Sequence, residues 1–310
     1  MNEIQQNNKI TLGGFLITFT GAVLFSTKAI IVKKAFGNTH ADALTLLTLR
    51  MIFSLPFYIF SAVLISNKKE NIRISKKQWF YVIILGMFGY YISSLLDFTG
   101  LQYISAGLER LILFLYPSFV VLINVYFFRQ KLLTTQKIAL ALTYIGIAVA
   151  YYGELKIDTG NPGFYSGSFM IFVCSITYSI YIAGSGRIIP LIGANKFTGF
   201  AMLAATAGIF IHFFIKGNNI QALYTNAGLW GYGLSLAVFS TVIPSFMISN
   251  GLKRIGANNV AIISGIGPVS TIIQAHYVLG EKIFAEQITG TLLVIAGVLL
   301  TGWKRKEISE

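Results

Sequence analysis

Charged residues are scarce in this chain. Of its 310 residues only 11% are charged, whereas 55% are hydrophobic, and the mean hydropathy is +0.70. A soluble domain of this length could not bury so much apolar surface, so the composition excludes the soluble globular classes. The sequence therefore predicts an integral membrane protein.

Cysteine and catalytic motifs are also scarce. Cys174 is the only cysteine and lies in an apolar run, which excludes an intrachain disulfide and a cysteine-based metal cluster. His212 and His276 are isolated in other apolar runs, with no second ligand at the spacing of a metal site. The sequence shows no nucleophile–base pair and no Walker-type phosphate loop. It therefore predicts neither an enzyme nor an ATP-driven pump, and no cofactor or metal.

Long apolar runs fill most of the chain. A helix needs about 20 apolar residues to cross the hydrocarbon core. We count ten candidate spans, at about 10–32, 43–65, 79–98, 104–128, 135–152, 164–184, 195–215, 228–250, 258–279 and 284–302. The first run is too long for the hydrophobic region of a signal peptide and is followed by further spans, so we expect it to be retained.

Lysine and arginine are distributed unequally between the connections. With the N-terminus inside the cell, 16 of the 24 lie on the cytoplasmic side and 5 on the outer side, while Lys28, Arg50 and Arg110 lie within spans. Because basic residues favour the cytoplasmic side, we predict two cytoplasmic termini and a location in the cytoplasmic membrane. The net charge of +13 then reflects this bias and attraction to anionic lipids, and we expect no nucleic-acid partner.

Two parts of the chain repeat one another. Residues 100–150 align with residues 251–301 at a constant shift of 151, without a gap. The identical pairs include Gly100/Gly251, Leu101/Leu252, Ile104/Ile255, Ala106/Ala257, Pro117/Pro268, Tyr126/Tyr277 and Gly146/Gly297. Because each half holds five spans, the second half enters the membrane in the opposite orientation. The sequence predicts two inverted five-helix repeats, at 10–152 and 164–303, with a substrate site near the midplane between them and alternating access.

Two prolines occupy equivalent places in this repeat. Pro117 and Pro268 fall within the fourth and ninth predicted spans. Proline removes one backbone hydrogen bond of a helix, so each is predicted to kink its span. Equivalent kinks in both halves favour a central cavity.

The repeated segments resemble the EamA-like family of the drug/metabolite transporter superfamily. The resemblance rests on YISAGLERLILFLYPSFVVLI in the first half, and on LKRIGANNVAIISGIGPVSTII with the Gly-Glu-Lys of residues 280–282 in the second. It covers nearly the whole chain. The first half has Arg-Gln-Lys at residues 129–131 instead, so we expect Glu281 to be a loop or helix-cap carboxylate. The resemblance implies ten helices in inverted repeats and transport of small polar metabolites or drugs, most often outward.

Several ionisable residues lie inside the predicted spans, in the outer half of the first repeat. Each costs about 2.5–3.5 kcal/mol near a helix centre on insertion scales, so together they need partners, water or a function. The second repeat has no charged counterparts, and two tyrosines share helix faces with these groups. We predict that the following residues bind substrate: Lys28, Arg50, Tyr90, Asp97, Glu109, Arg110 and Tyr116.

Each of these charges also has a structural alternative. Lys28 and Arg50 could extend outward to water along the helix. Asp97 and Arg110 could be caps at the membrane interface. Glu109 could serve only to neutralise a neighbouring cation.

The sequence as a whole favours a secondary-active exporter of small polar metabolites, such as amino acids or organic anions. Protons are the candidate coupling ion, through Glu109 or Asp97. One chain holds both repeats, so a monomer suffices. The alternative is an exporter of amphipathic drugs or of a lipid-linked substrate, which would use aromatic walls more than charges. The sequence leaves the substrate, the direction, the coupling ion and the oligomeric state open.

Reporter fusions test the inverted topology. A reporter fused at the C-terminus and one fused after residue 160 should report opposite sides of the membrane, because five spans separate the two points. The measurement is the activity of side-specific reporters in intact cells. If both fusions report the cytoplasm, the inverted repeat is wrong.

Overall fold

The described part of the chain is almost entirely helical. The computed structural model describes residues 11–66, 73–128, 134–157, 162–218, 220–224 and 227–302, and these ranges contain no β-strand. Seven helical stretches within them are long and apolar enough to cross a membrane: Leu12–Thr39, Ala43–Leu64, Lys76–Gly100, Ala106–Phe127, Phe164–Ile192, Ala194–Ile215 and Gly228–Gly256. The all-helical membrane class predicted from composition is confirmed.

The helices of the first half, within the described residues, are α1 (Leu12–Thr39), α2 (Ala43–Ser66), α3 (Lys76–Gly86), α4 (Ser93–Gly100), α5 (Ala106–Leu113), α6 (Tyr116–Phe128) and α7 (Thr134–Ile157). A π-helical segment, π1 (Met87–Ile92), joins α3 to α4. The second half has α8 (Phe164–Ile192), α9 (Ala194–Ile215), α10 (Gln221–Tyr224), α11 (Ala227–Ala237), α12 (Ile243–Ile263), α13 (Ile266–Gln274) and α14 (Ala285–Gly302). Here π2 (Val238–Val242) joins α11 to α12, and π3 (Ala275–Leu279) follows α13.

The elements of the two halves recur at one spacing. The pairs α2/α9, α3/α11, π1/π2 and α7/α14 begin 151 residues apart, at 43 and 194, 76 and 227, 87 and 238, and 134 and 285. Gly256 interrupts α12 with a φ of 76°, and it follows Ser105, the N-cap of α5, by the same 151 residues. The shift visible in the sequence over residues 100–150 therefore extends to the helices of both halves.

The two predicted kink prolines each follow an interruption of the helix. Residues 114–115 separate α5 from α6 just before Pro117, and residues 264–265 separate α12 from α13 before Pro268. Around each break the backbone makes tighter hydrogen bonds, from the amide of Leu115 to the carbonyl of Ile112 and from Gly267 to Ser264. Proline has no amide hydrogen for the carbonyl four residues before it, which favours a break at this place.

Glycines bring several helices into close contact. A Cβ atom added to Gly146 of α7 would lie 2.6 Å from the backbone oxygen of Gly290 in α14. One added to Gly21 of α1 would lie 2.9 Å from Met247 in α12. Small residues of this kind let helix backbones approach closely in lipid, where hydrophobic burial does not drive association. The packing of α7 on α14 therefore depends on glycine.

Substitution of Gly146 tests this packing. Gly146→Ala should lower the melting temperature of the detergent-solubilised protein, because overpacking a tight contact costs about 1–3 kcal/mol. The matched control is Gly231→Ala in α11, where an added Cβ meets nothing within 4 Å and where alanine improves helix propensity by about 1 kcal/mol. Equal melting of the two variants would contradict the close approach of α7 and α14.

Candidate functional site

A buried ion cluster joins α1, α4 and α5. The Lys28 Nζ atom lies 2.8 Å from Asp97 Oδ2 and 3.9 Å from Glu109 Oε1. Lys28 is 5% exposed, and both acidic residues are 0% exposed. Both carboxyl groups therefore lie within 4 Å of the same ammonium. One lysine therefore faces two neighbouring acids, well away from solvent.

The local sequence explains how two acids reach one lysine. Asp97 lies in the last turn of α4, and residues 101–105 then turn the chain into α5. Ser105 caps the new helix, because its Oγ atom accepts a hydrogen bond from the Leu108 amide at 3.1 Å. Glu109 follows in the first turn of α5, where the positive end of the helix dipole favours an acid. The short turn thus brings both carboxyl groups to the same side of α1.

Arg50 lies beside this cluster on α2. Its Nη2 atom donates to Ser94 Oγ at 3.0 Å, and its guanidinium carbon lies 5.0 Å from the centre of the Phe98 ring. Arg50 is 3% exposed, and its Nε atom has no hydrogen-bond partner among the described residues. One nitrogen of this guanidinium is therefore still available to an acceptor.

Arg110 faces the second half of the chain. Its Nε atom donates to Thr271 Oγ1 of α13 at 3.1 Å, and its guanidinium carbon lies 5.6 Å from the centre of the Phe25 ring. The Lys28 ammonium lies 5.2 Å from the same ring. Phe25 therefore contacts two cations, and both contacts are of the cation–π kind.

Two small cavities open onto these groups. One of them reaches both Lys28 and Arg50 and has a volume of about 20 Å³. Its lining is completed by Phe25, Gly89, Tyr90, Ser93, Ser94, Leu113, Cys174, Tyr178, Ser240 and Thr241. We call it the Arg50 cavity. The neighbouring one, of about 40 Å³, is lined by Ala22, Phe25, Arg110, Leu113, Phe114, Tyr116, Tyr178, Ile182, Ile248, Val260 and Ser264. The two share Phe25, Leu113 and Tyr178 as a common wall.

Three tyrosines, Tyr90, Tyr116 and Tyr178, line these cavities. Tyr90 and Tyr181 are hydrogen-bonded through their hydroxyl groups, 2.8 Å apart. The rings of Tyr116 and Tyr178 meet edge to face with centres 5.2 Å apart. These side chains present apolar faces together with hydroxyl groups, as ligand pockets often do.

The structure brings all seven residues predicted to bind substrate into one region. Lys28, Arg50 and Tyr90 line the Arg50 cavity, Arg110 and Tyr116 line its neighbour, and Asp97 and Glu109 contact Lys28. In this structure Lys28 and Arg50 do not extend to water, and Asp97 and Arg110 are buried instead of lying at an exposed helix end. Their role in binding remains a prediction.

Sequence reasoning missed several polar members of this region, namely Ser94, Ser240, Thr241 and Thr271. Hydroxyl residues are common in membrane helices, and alone they carry little signal. The repeat does offer one for Thr241, because it follows Tyr90 by 151 residues. No group of three His, Cys, Asp or Glu side chains that could hold a metal ion occurs in the ranges the structure describes.

Glu281 connects the second half to the start of α5. Its Oε1 atom accepts from the Ala106 amide at 3.0 Å, and its Oε2 atom accepts from the Gly107 amide at 3.3 Å. The first amides of a helix have no acceptor within the helix itself, and Glu281 supplies one for each of these two. Of the two expected roles, a loop or a helix-cap carboxylate, the structure shows the helix cap, and the helix belongs to the other half. Residues 129–131, which stand at the corresponding place of the first half, lie outside the described residues.

Comparisons with known proteins point to one family. The sequence profile of the EamA-like transporter family matches residues 12–152 and 165–303. The uncharacterized transporter YcbK of Bacillus subtilis (strain 168) is 29% identical over 308 residues, covering 96% of each chain. The biotin transporter of Escherichia coli (strain K12) is 23% identical over 208 residues, covering 66% of this chain and 67% of that protein. A solved crystal structure with 17% identity matches with a TM-score of 0.67 over 93% of this chain and 96% of the other, which shows a common fold.

Removal of the lysine tests the ion cluster. Lys28→Met should lower the melting temperature, because breaking a buried pair leaves an uncompensated charge and costs about 3–5 kcal/mol. A second substitution, Asp97→Asn, should restore most of the loss, since it removes the abandoned charge. Lys34→Met, at an exposed position on the same helix, is the control and should change little. Wild-type melting of Lys28→Met alone would contradict the pairing.

Proposed function

Because this chain belongs to the EamA-like transporter family, we propose that it is a secondary-active transporter that moves a small polar metabolite across the cytoplasmic membrane by alternating access. The favoured direction is export. The cargo class is amino acids or related organic anions. One observation carries the proposal above all, namely the buried cluster of cations and carboxyl groups beside the two cavities.

We propose ten spans in two inverted repeats, at residues 10–152 and 164–303, with both termini cytoplasmic. The seven spans recognised by length and composition leave α7, residues 257–279 and α14 to supply the other three. Residues 257–279 follow residues 106–128 by 151, and α14 begins 151 residues after α7. The membrane-spanning character of residues 257–279 is therefore supported by the span they repeat, and that of α7 and α14 by their lengths of 24 and 18 residues. The bias of lysine and arginine supports the orientation.

The cluster favours an anionic group on the substrate. Together with the two neighbouring arginines, Arg50 and Arg110, it contains three cations against the two acids Asp97 and Glu109. Burying an excess of positive charge is costly, and a carboxylate on the cargo would balance it. The tyrosine walls then contact the rest of the molecule.

Proton coupling follows from the pair of acids. Asp97 and Glu109 approach the same ammonium, and two like charges at one site disfavour each other, which favours a proton on one of the two acids. A substrate anion that pairs with the same cations changes how strongly these cations stabilise the charged forms of Asp97 and Glu109. The affinity of the acids for the proton then changes as well. We propose Glu109, which is the farther of the two from the lysine, as the proton-carrying group.

The helix breaks before Pro117 and Pro268 are the proposed hinges of the alternating motion. They stand at equivalent places in the two halves, and each lies beside a cavity wall, formed by Phe114 and Tyr116 on one side and by Ser264 on the other. Interrupted helices that line a cavity are a recurring feature of inverted-repeat transporters.

A second candidate cargo is an amphipathic or lipid-linked molecule. The tyrosines that line both cavities favour it, since they offer large apolar faces. The Escherichia coli relative is named a biotin transporter, and biotin combines a fused ureido–thioether ring system and an apolar chain with a carboxylate. Such a molecule would satisfy both the aromatic walls and the excess positive charge.

Transport measurements test the proposal. We would first compare the metabolites in the medium of overexpressing and deletion cells, and then measure the exported compounds in proteoliposomes. Carboxylate-bearing compounds should accumulate outside the overexpressing cells and should show saturable counterflow. Accumulation of neutral amphipathic compounds alone would favour the second candidate, and a flux without saturation would indicate a channel.

Glu109→Gln separates proton coupling from substrate movement. The variant should lose transport driven by a pH gradient, because the amide cannot carry the exchanged proton. It should keep counterflow of labelled against unlabelled substrate, which needs no net proton movement and serves as the internal control. Undiminished gradient-driven transport would remove Glu109 from the coupling step.

A further inference from the structure

The guanidinium of Arg50 has donor capacity that the protein does not use. Arginine offers five N–H donors in a planar fork. Arg50 is 3% exposed, Nη2 donates to Ser94, and Nε has no acceptor among the described residues. A buried donor that belongs to a charged group and lacks a partner is costly to retain. Such a group beside a cavity indicates an acceptor brought by a ligand.

Thr241 offers a second unused group in the same cavity. It lies in π2, is 3% exposed, and lines the Arg50 cavity. Its Oγ1 atom has no hydrogen-bond partner in the described part of the chain. The neighbouring Ser240, by contrast, already donates to the Leu236 carbonyl at 2.9 Å. Thr241 is therefore the hydroxyl of π2 that is free to donate.

The position of Thr241 is related to that of Tyr90 by the repeat. Gly89 and Ser240 are 151 residues apart, as are Tyr90 and Thr241, and all four line the Arg50 cavity. Both pairs lie in the π segments, a backbone form found frequently at functional sites. The cavity is thus enclosed by equivalent parts of the two halves, where inverted repeats place their substrate.

Lys28 is engaged differently from Arg50. Its ammonium lies 2.8 Å from Asp97 and 3.9 Å from Glu109, so its charge is balanced within the protein. Among the described residues, no carboxylate lies within 4.0 Å of Arg50. Of the two cations that line this cavity, Arg50 is therefore the one whose charge an anionic ligand would balance.

We infer that Arg50 and Thr241 together hold the carboxylate group of the cargo, while Lys28 serves as the counter-ion of Asp97. The inference rests on the proposed function and adds the subsite to it. A guanidinium edge matches the two oxygens of a carboxylate, and the Thr241 hydroxyl supplies a donor from the opposite half. A cargo held in this way contacts both repeats at once, so its binding depends on their relative position.

Charged thiol reagents test the subsite without knowledge of the cargo. Thr241→Cys is placed in a Cys174→Ser background and treated with a methanethiosulfonate that carries either a sulfonate or a trimethylammonium group. The sulfonate serves as the probe anion. The ratio of the two reaction rates is compared with that of Gly37→Cys, a position where an added side chain meets nothing within 4 Å. We expect the ratio at residue 241 to favour the sulfonate by about tenfold or more over the control, because a cationic cleft concentrates anions.

Two further variants assign this preference to a residue. Arg50→Gln should abolish the preference for the sulfonate at residue 241. The double variant Lys28→Met/Asp97→Asn should retain it, because it removes a charge pair that is already balanced. Should Arg50→Gln fail to fold, Ser94→Cys provides a second position beside the guanidinium, since this side chain lies 3.0 Å from Arg50 Nη2 and must show the same preference.

The outcomes that overturn the inference are equally definite. They are a Thr241→Cys variant unreactive to both reagents, a ratio equal to that of the control, a ratio unchanged by Arg50→Gln, or equal rates of the two reagents in Ser94→Cys. Labelling requires no transport, so the two proposals fail separately. Carboxylate transport without the labelling pattern would disprove the subsite alone, whereas the labelling pattern in a protein that moves no solute would disprove the proposed function and leave an anion site.

Discussion

The ion pair between Lys28 and Asp97 is the constraint around which this part of the molecule is arranged. An ammonium at this depth has no water to stabilise it, so its partner must be held within hydrogen-bonding distance by the fold. That requirement fixes α1 against α4 and the turn that leads into α5. Glu109 and the ring of Phe25 then complete the surroundings of the lysine. The two cavities lie next to these groups and are lined by some of them, among them Phe25 and Lys28.

Polar contacts also join the two halves at the places where their helices are interrupted. Arg110 donates to Thr271, the Ser26 hydroxyl lies 3.3 Å from the Gly267 carbonyl, and Glu281 caps α5. In a medium of low polarity such bonds are not exchanged for bonds to water, so each one favours the arrangement seen here. A motion of one half against the other would have to exchange them for others.

The part of the site that the sequence predicted best is its buried charges, because charged residues are what a bilayer penalises most. Charges within spans are rare enough to be noticed, and their cost implied that they would gather, as Lys28, Asp97 and Glu109 do. It could not predict which cation takes which acid, because that depends on distances of a few ångströms between helices. The π segments have no compositional mark, and a neutral hydroxyl such as Thr241 resembles any other in a membrane helix. Glu281 was predicted as a loop or helix-cap carboxylate, but only the structure shows that it caps α5 of the other half.

The unequal division of charge between the halves bears on how the membrane potential acts on the protein. With the proposed proton on Glu109, the five buried groups of the first half carry a formal charge of +2, and a full crossing of the field by one charge is worth about 2.3 kcal/mol per 100 mV. A site that changes sides moves this charge through a fraction of the field. A monovalent anion would lower it to +1, so the potential would act more strongly on the empty carrier than on the loaded one. An interior-negative potential would then draw the empty site toward the cytoplasm, which is where an exporter collects its cargo.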